Sequence, residues 1–156
     1  DDFLLEKLDE WLGPFVEGMT RLEHLKKVDL RAALSSLLSR EQRKALDDLA
    51  PTHIAVPTGT RVPVDYGGDK PALGVRLQEM FGLAQTPSIA GGKIPLVIHL
   101  LSPAGRPLQV TDDLAGFWAR SYELVKKEMK GRYPKHHWPD NPMEAEPTRR
   151  AKRNGK

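Results

Sequence analysis

The spacing of the apolar residues changes at Pro51, and this change limits the folds open to the chain more than any other feature. Before Pro51 the apolar residues recur three or four positions apart, as Leu4 and Leu8 do, which is the period of one face of an α-helix. After it they alternate, as Val62 and Val64 do, which is the period of a half-buried strand. Helices followed by alternating segments predict an α+β protein, and 156 residues suffice for one hydrophobic core.

Residues 1–50 are predicted to form a helical lead-in. Ser39 with Gln42, and Thr20 with Glu23, each fit the capping box, in which the first side chain accepts a bond from a free backbone N–H and the second reaches back. Asp29 is a further candidate for an N-cap. Because the residue before a proline avoids helical geometry, the last of these helices is predicted to end before residue 51.

Residues 51–131 are predicted to form a ββαββα unit. The alternating segments 53–66 and 94–110 each contain a turn and are typical of β-hairpins. Residues 73–81 have apolar side chains at helical spacing, which predicts a helix between the hairpins. Residues 111–131 predict the final helix, with Asp and Glu side chains favoured at its positive N-terminal end.

The predicted fold class is α+β, with N-terminal helices followed by a small, mostly antiparallel sheet of about four strands. One face of the sheet is predicted to lie under helices and the other to face water. Short strands around one helix also fit a small barrel of the oligonucleotide-binding type, and this alternative stays open. The positions predicted to face water are His53, Arg61, Asp65, His99 and Gln109. The predicted buried stripe of the final helix is Leu114, Phe117, Trp118, Ser121, Tyr122, Val125 and Met129.

The charges of the chain are distributed unevenly. From Arg120 to Lys156 there are eleven Lys or Arg against five Asp or Glu, whereas residues 1–119 have thirteen against sixteen. A basic end on a mildly acidic body is typical of proteins that bind a polyanion, although a solvated tail gives the same pattern. Residues 132–156 therefore form a third segment. It consists of a proline-rich strap, RYPKHHWPDNP at 132–142, and a basic tail that ends as EAEPTRRAKRNGK, 144–156, and that we expect to be poorly ordered by itself.

Several kinds of site are disfavoured by the sequence. The chain has no cysteine, which rules out disulfides and zinc-thiolate sites. GGK at 91–93 is not a Walker A loop, because Pro87 replaces the first glycine and Ile94 the hydroxyl residue. His136 and His137 are adjacent and would point to opposite faces of an extended segment, which does not favour a metal site. No nucleophile elbow and no membrane-length apolar run occurs, so no catalytic, cofactor or metal residue and no membrane contact is predicted in these residues.

The strap combines the two features that hold single-stranded nucleic acid, namely cations that neutralise phosphates and rings on which bases stack. Tyr133 and Trp138 have a second interpretation, as anchors that pin the strap to the body while the cations are solvated. The residues predicted to contact nucleic acid are Arg132, Tyr133, Lys135, His136, His137, Trp138, Arg149, Arg150, Lys152 and Arg153.

Four blocks of the sequence resemble the C-terminal region of HrpB-type bacterial ATP-dependent RNA helicases of the DEAH-box class. The blocks are PTHIAVPTGTRVPVDY, LGVRLQEMFGL, LLSPAGRPLQVTDDLAGFW and GRYPKHHWPDNPMEAEPTRRAK. They occur in this order, and the resemblance extends from about residue 20 to residue 152. Long blocks in a fixed order are more specific than one short motif.

The resemblance implies a bacterial, cytoplasmic ATP hydrolase in which ATP and Mg belong to helicase motor domains. Neither a Walker A loop nor a DEAH-type box occurs in residues 1–156, so no motor residue can be carried over to this chain. Two functions are then open. The chain is either an accessory domain that adds binding of single-stranded RNA or DNA beside the motor domains in cis, or a docking module that regulates the motor through protein–protein or intramolecular contacts.

Overall fold

The computed structural model describes residues 2–150, which divide into two compact units with the boundary between Asp48 and Leu49. The first unit consists of short helices. They are α1 (Asp2–Glu6), α2 (Leu8–Trp11), α3 (Gly13–Val16), α4 (Leu22–Leu25), α5 (Leu30–Ser35) and most of α6 (Arg40–Leu49). The predicted end of the last helix before Pro51 is confirmed. No helix within residues 2–150 is both long and apolar enough to cross a membrane.

Two of the predicted helix starts in the first unit are confirmed. The Gln42 N–H donates to Ser39 Oγ at 3.1 Å, and the Ser39 N–H donates to Gln42 Oε1 at 2.8 Å, which together form the capping box before α6. Asp29 Oδ1 accepts from the Ala32 N–H at 2.9 Å and caps α5. Local side-chain chemistry therefore sets where these two helices begin.

The capping box predicted for Thr20 and Glu23 is wrong. Helix α4 begins at Leu22, and its N-cap position is Arg21, whose side chain makes no capping bond. An arginine side chain has donors but no acceptor, so it cannot satisfy the free N–H groups of the first turn. This helix is accordingly only four residues long.

The second unit is built on an open five-stranded sheet. Its strands are β1 (His53–Ala55), β2 (Arg61–Asp65), β3 (Ala72–Arg76), β6 (Val97–Leu101) and β7 (Pro107–Thr111), in the order β1-β2-β3-β6-β7. Strands β4 (Ser88–Ile89) and β5 (Ile94–Pro95) form a separate hairpin. All neighbours in the large sheet are antiparallel except β3 and β6. The α+β class with a mostly antiparallel sheet is confirmed, and neither sheet of the described residues closes into a barrel, so the barrel alternative is wrong.

The helix predicted over residues 73–81 is also wrong. Leu73 and Val75 are buried in strand β3, and only Leu77–Met80 turns, as a single 3-10 helix. The apolar residues in this segment fit both a period of two and a helical period, so the pattern alone does not decide between them. Strand β3 lies between β2 and β6, and this central pairing selects the extended form.

One long helical segment covers the sheet. It comprises α7 (Leu114–Gly116), a π-helical turn (Phe117–Ser121) and α8 (Tyr122–Arg132). Asp113 caps its start, since Asp113 Oδ1 accepts from the Gly116 N–H at 2.8 Å. That bond, with Arg120 as a second partner, lowers the pKa of the Asp113 carboxyl. The predicted stripe of this helix is confirmed as buried or half-buried throughout.

The hydrophobic core lies between the sheet and this helix. Its sheet side is formed by Val62, Val64, Leu73, Val75, Ile98 and Leu100, and its helix side by Leu114, Phe117, Tyr122 and Met129. The opposite sheet face exposes His53, Arg61, Asp65 and His99, as predicted. Gln109 is the exception, because it pairs with the buried Leu100 and its Nε2 lies 3.5 Å from Ser121 Oγ under the helix. The irregularity between Leu100 and Leu101 breaks the alternation on which that prediction depended.

Candidate nucleic-acid interface

The aromatic rings of the strap lie against the body of the second unit. Trp138 is 8% exposed, and its indole N–H donates to the Tyr133 carbonyl at 2.9 Å. The His137 ring packs edge-on against Phe81, with centroids 6.3 Å apart, and Tyr133 packs against the core cluster. In this conformation the Trp138 ring is used for packing, which fits its interpretation as an anchor.

Backbone groups fix the strap and the first half of the tail to the body. The buried Gln78 binds this segment twice: its Nε2 donates to the His137 carbonyl at 3.0 Å, and its own carbonyl accepts from the Thr148 N–H at 2.9 Å. The Tyr122 hydroxyl donates to the Pro139 carbonyl at 2.8 Å. Residues 143–149 therefore pack on the body, whereas we expected the tail to be poorly ordered by itself. The sequence did not predict this packing because the polar partners lie far away in the chain.

Lys126 on α8 adds an ionic contact to the strap. Its Nζ donates to Glu123 Oε1 at 2.8 Å and to Asp140 Oδ1 at 3.1 Å. The bond to Glu123, followed by the bond to Asp140, raises the pKa of Lys126, and the same lysine lowers the pKa of Asp140. Lys126, whose side chain is 14% exposed, thus holds the strap at Asp140.

His136 occupies a less favourable environment. Its Nδ1 is buried and has no hydrogen-bond partner among residues 2–150. Burial, followed by the positive charge of Arg76, lowers the pKa of the His136 imidazole. Its ring meets Tyr133 edge-on at 6.1 Å, so the residue serves as a packed neutral side chain in this arrangement.

The cations predicted to contact nucleic acid fall into two groups. Arg132 and Arg149 are paired: Arg132 Nη2 lies 3.1 Å from Glu128 Oε1, and Arg149 Nε lies 3.1 Å from Glu79 Oε2. Lys135 and Arg150 are exposed and form no ion pair with any carboxylate of residues 2–150. The predicted residues Lys152 and Arg153 lie outside the described residues.

Glu79 binds the end of the described tail. It is 6% exposed, and its Oε2 accepts bonds from Thr60 Oγ1 at 2.8 Å, Thr58 Oγ1 at 3.0 Å and Arg149 Nε at 3.1 Å. A buried carboxylate is stable only with such partners. One signal of this role is present in the sequence, because LQEMF places the charged Glu79 in a segment that also contains Leu77, Met80 and Phe81.

Next to Glu79, a groove of about 590 Å³ opens on the exposed face of the sheet. Four arginines and one carboxylate line it, together with backbone of β2 and β3: Arg61, Arg76, Arg149, Arg150 and Glu79. Sequence reasoning included Arg149 and Arg150 among the site residues and placed Arg61 on this face. It missed Arg76, because that residue lay in the segment predicted to be helical.

The GGK segment and the potential metal ligands were two further features of the sequence. No group of three or more His, Cys, Asp or Glu within residues 2–150 is placed to hold a metal ion. GGK belongs to the turn between β4 and β5, where Ala90, Gly91 and Gly92 all have positive φ. This confirms that the glycines serve a hairpin turn.

Comparison with known proteins gives one family. The sequence profile of the family described as ATP-dependent helicase C-terminal matches residues 11–142. The chain is 52% identical over 154 residues to the ATP-dependent RNA helicase HrpB of Escherichia coli (strain K12), a match that covers 98% of this chain and 19% of that protein. The chain therefore spans about a fifth of the length of this relative.

Two solved structures have the same fold over most of the chain. The crystal structure of the E. coli DExH-box NTPase HrpB matches with a TM-score of 0.86 and 52% identity, over 97% of this chain and 19% of that one. The crystal structure of the Escherichia coli DEAH/RHA helicase HrpB matches with a TM-score of 0.69 and 50% identity, over 88% and 18% respectively.

Proposed function

Because the chain belongs to the family of ATP-dependent helicase C-terminal domains, we propose that it acts as an accessory domain that adds single-stranded nucleic-acid binding beside a helicase motor. ATP and Mg belong to that motor, and RNA is the substrate class that the name of the E. coli relative indicates. Single-stranded DNA is the alternative ligand of the domain. The domain contributes no catalytic group of its own in this proposal.

One observation supports the proposal above the others: the strap and tail display cations on a rigid support. The rings and backbone of this segment are bonded to the body, whereas Lys135 and Arg150 are exposed and lack carboxylate partners within residues 2–150. Cations carried on a backbone that is already bonded to the body cost little backbone freedom when they bind phosphates. The net positive charge of this end of the chain acts in the same direction.

The test is a fluorescence-anisotropy titration of the 156-residue chain with a labelled single-stranded RNA at about 50 mM and about 200 mM salt. Phosphate binding should weaken steeply, with a slope of roughly 0.7 per contact in log K against log salt. The variant Arg132→Gln/Lys135→Gln should bind more weakly than the wild type. The matched control Arg31→Gln/Arg40→Gln removes the same charge from exposed positions in the first unit and should leave the affinity unchanged.

If the intact chain does not bind the strand even at low salt, the nucleic-acid proposal is wrong. Docking onto the motor would then account for the exposed face. Binding at a docking surface with an apolar centre should depend far less on salt.

A further inference from the structure

The groove on the exposed sheet face begins where the pairing between β2 and β3 stops. The ladder joins Val64 to Leu73 and Asp65 to Ala72. Beyond it stands Pro63, which has no N–H to continue the hydrogen bonds. Both strands go on to line the groove from this point, so their edges form its two walls.

Two arginines belong to these two strands. Arg61 of β2 and Arg76 of β3 both line the groove. Both are exposed, and neither forms an ion pair with a carboxylate of residues 2–150. Arginines on the lining of one groove concentrate positive charge there, and an anion in the groove is attracted to both.

The tail supplies two more arginines to the same groove. Arg149 is oriented by its bond to Glu79 Oε2 at 3.1 Å, while 56% of its side chain remains exposed. Arg150 follows it on the groove lining. Glu79 is the one carboxylate among the groove residues, and its Oε2 already accepts three donors, so the exposed charge of the groove is positive.

The floor of the groove permits close approach of a ligand. Gly74 lies on the exposed face of β3, and a Cβ atom there would meet only Leu101 Cδ1, at 4.0 Å. A glycine inside a strand often marks a place where a ligand or another backbone comes close. Among the described residues no aromatic ring lines the groove, which favours recognition of a charged backbone over recognition of bases.

We propose that this groove, with Arg61, Arg76, Arg149 and Arg150, binds consecutive phosphodiester groups of a single-stranded nucleic acid. Guanidinium groups match phosphate oxygens in a two-pronged geometry and stay charged at any physiological pH. From Arg149 to the end of the sequence there are five Lys or Arg and no Asp or Glu, so the sequence after Arg150 is also basic. The inference depends on the proposed function and moves the main contact from the strap to the sheet face. It predicts that the affinity does not depend on the identity of the bases.

The test uses the 156-residue chain, labelled 12-nucleotide oligo(U) and oligo(C), and anisotropy over a series of salt concentrations. Arg61→Gln/Arg76→Gln should weaken binding at low salt at least about tenfold and lower the salt slope by roughly 1.4, which corresponds to two lost phosphate contacts. Arg31→Gln/Arg40→Gln is the control with the same loss of charge, and it should keep the wild-type slope. Circular dichroism should show unchanged melting for both double variants, since all four substituted side chains are exposed.

Three results would overturn the inference. If the wild type binds the strand and Arg61→Gln/Arg76→Gln binds it with the same salt slope, the groove is not the binding site, but the proposed function stands. No strand binding by the wild type would remove both. If labelled poly-glutamate of equal charge binds as tightly as the RNA and depends on Arg61 and Arg76, the groove receives an acidic peptide and not a nucleic acid.

Discussion

Arg149 and Glu79 stand 70 residues apart in the sequence, yet Arg149 Nε donates to Glu79 Oε2 at 3.1 Å. Through this bond the tail reaches the turn that follows the central strand β3. The side chain of Glu79 is buried and that of Arg149 is 56% exposed, so the pair joins the edge of the core to the rim of the cationic groove. The folding of the tail and the shape of the groove therefore depend on the same contact.

Arg149→Gln should lower the stability of the second unit slightly. The variant loses a charge-assisted bond, but the two threonine hydroxyls remain on Glu79 and the arginine is half exposed, so we expect a loss of about 1 kcal/mol. For a chain of this size that corresponds to a fall in melting temperature of about 2–4 °C. Thermal unfolding followed by circular dichroism measures it. Arg150→Gln is the matched control, and an equal fall in that variant would contradict a specific role for the Arg149–Glu79 pair.

Trp138→Ala should destabilise the domain strongly. The substitution removes a large side chain that is 8% exposed, and such truncations cost about 3–5 kcal/mol. Trp138→Phe keeps most of the packing and loses the bond to the Tyr133 carbonyl, so its loss should be about 1 kcal/mol. Urea unfolding gives both values, with the exposed Leu124→Ala as a control near zero. An unchanged unfolding midpoint in Trp138→Ala together with weaker RNA binding would instead assign this ring to base stacking.

Gly116→Ala should destabilise the chain although alanine is the better helix former. A Cβ atom at Gly116 would collide with the Asp113 carboxylate and the Arg120 guanidinium, which are paired across it. Gly131→Ala in α8 is the control, because no atom lies within 4 Å of the added Cβ and the change should raise stability by up to about 1 kcal/mol. The melting temperature should fall in Gly116→Ala and rise in Gly131→Ala, and a rise in both would refute the crowding at Gly116.

The stability of the second unit should fall as the solution is acidified through the ordinary range of histidine. The pKa of His136 is lowered in the folded state, so below about pH 6.5 the unfolded chain binds more protons than the folded one. The stability is therefore fully present above that pH and decreases as the pH falls towards the folded pKa. His136→Phe should flatten this dependence in urea unfolding at about pH 7.5 and pH 5.5. His99→Phe changes an exposed histidine and should retain the wild-type dependence.

The residues of the chain determine those features that depend on neighbours in the sequence. The capping box of Ser39 and Gln42 is local, and so are the alternation of Val62 with Val64 and the apolar stripe of the final helix. Each of these is set within a few residues by backbone hydrogen bonding or by side-chain period, which explains why the prediction succeeds. The basic character of the C-terminal end is likewise a property of the sequence alone.

Only the tertiary structure decides the features that depend on distant partners. Residues 72–76 fit two periods equally well, and pairing with β2 and β6 selects the strand. The burial of Trp138, the three hydrogen bonds that Glu79 Oε2 accepts and the placing of Arg61, Arg76 and Arg149 on one groove all depend on contacts between separate segments of the chain. No local pattern contains this information, because the energy of such contacts depends on chain packing that brings the segments together. The cationic groove could therefore be located only once the fold was in place.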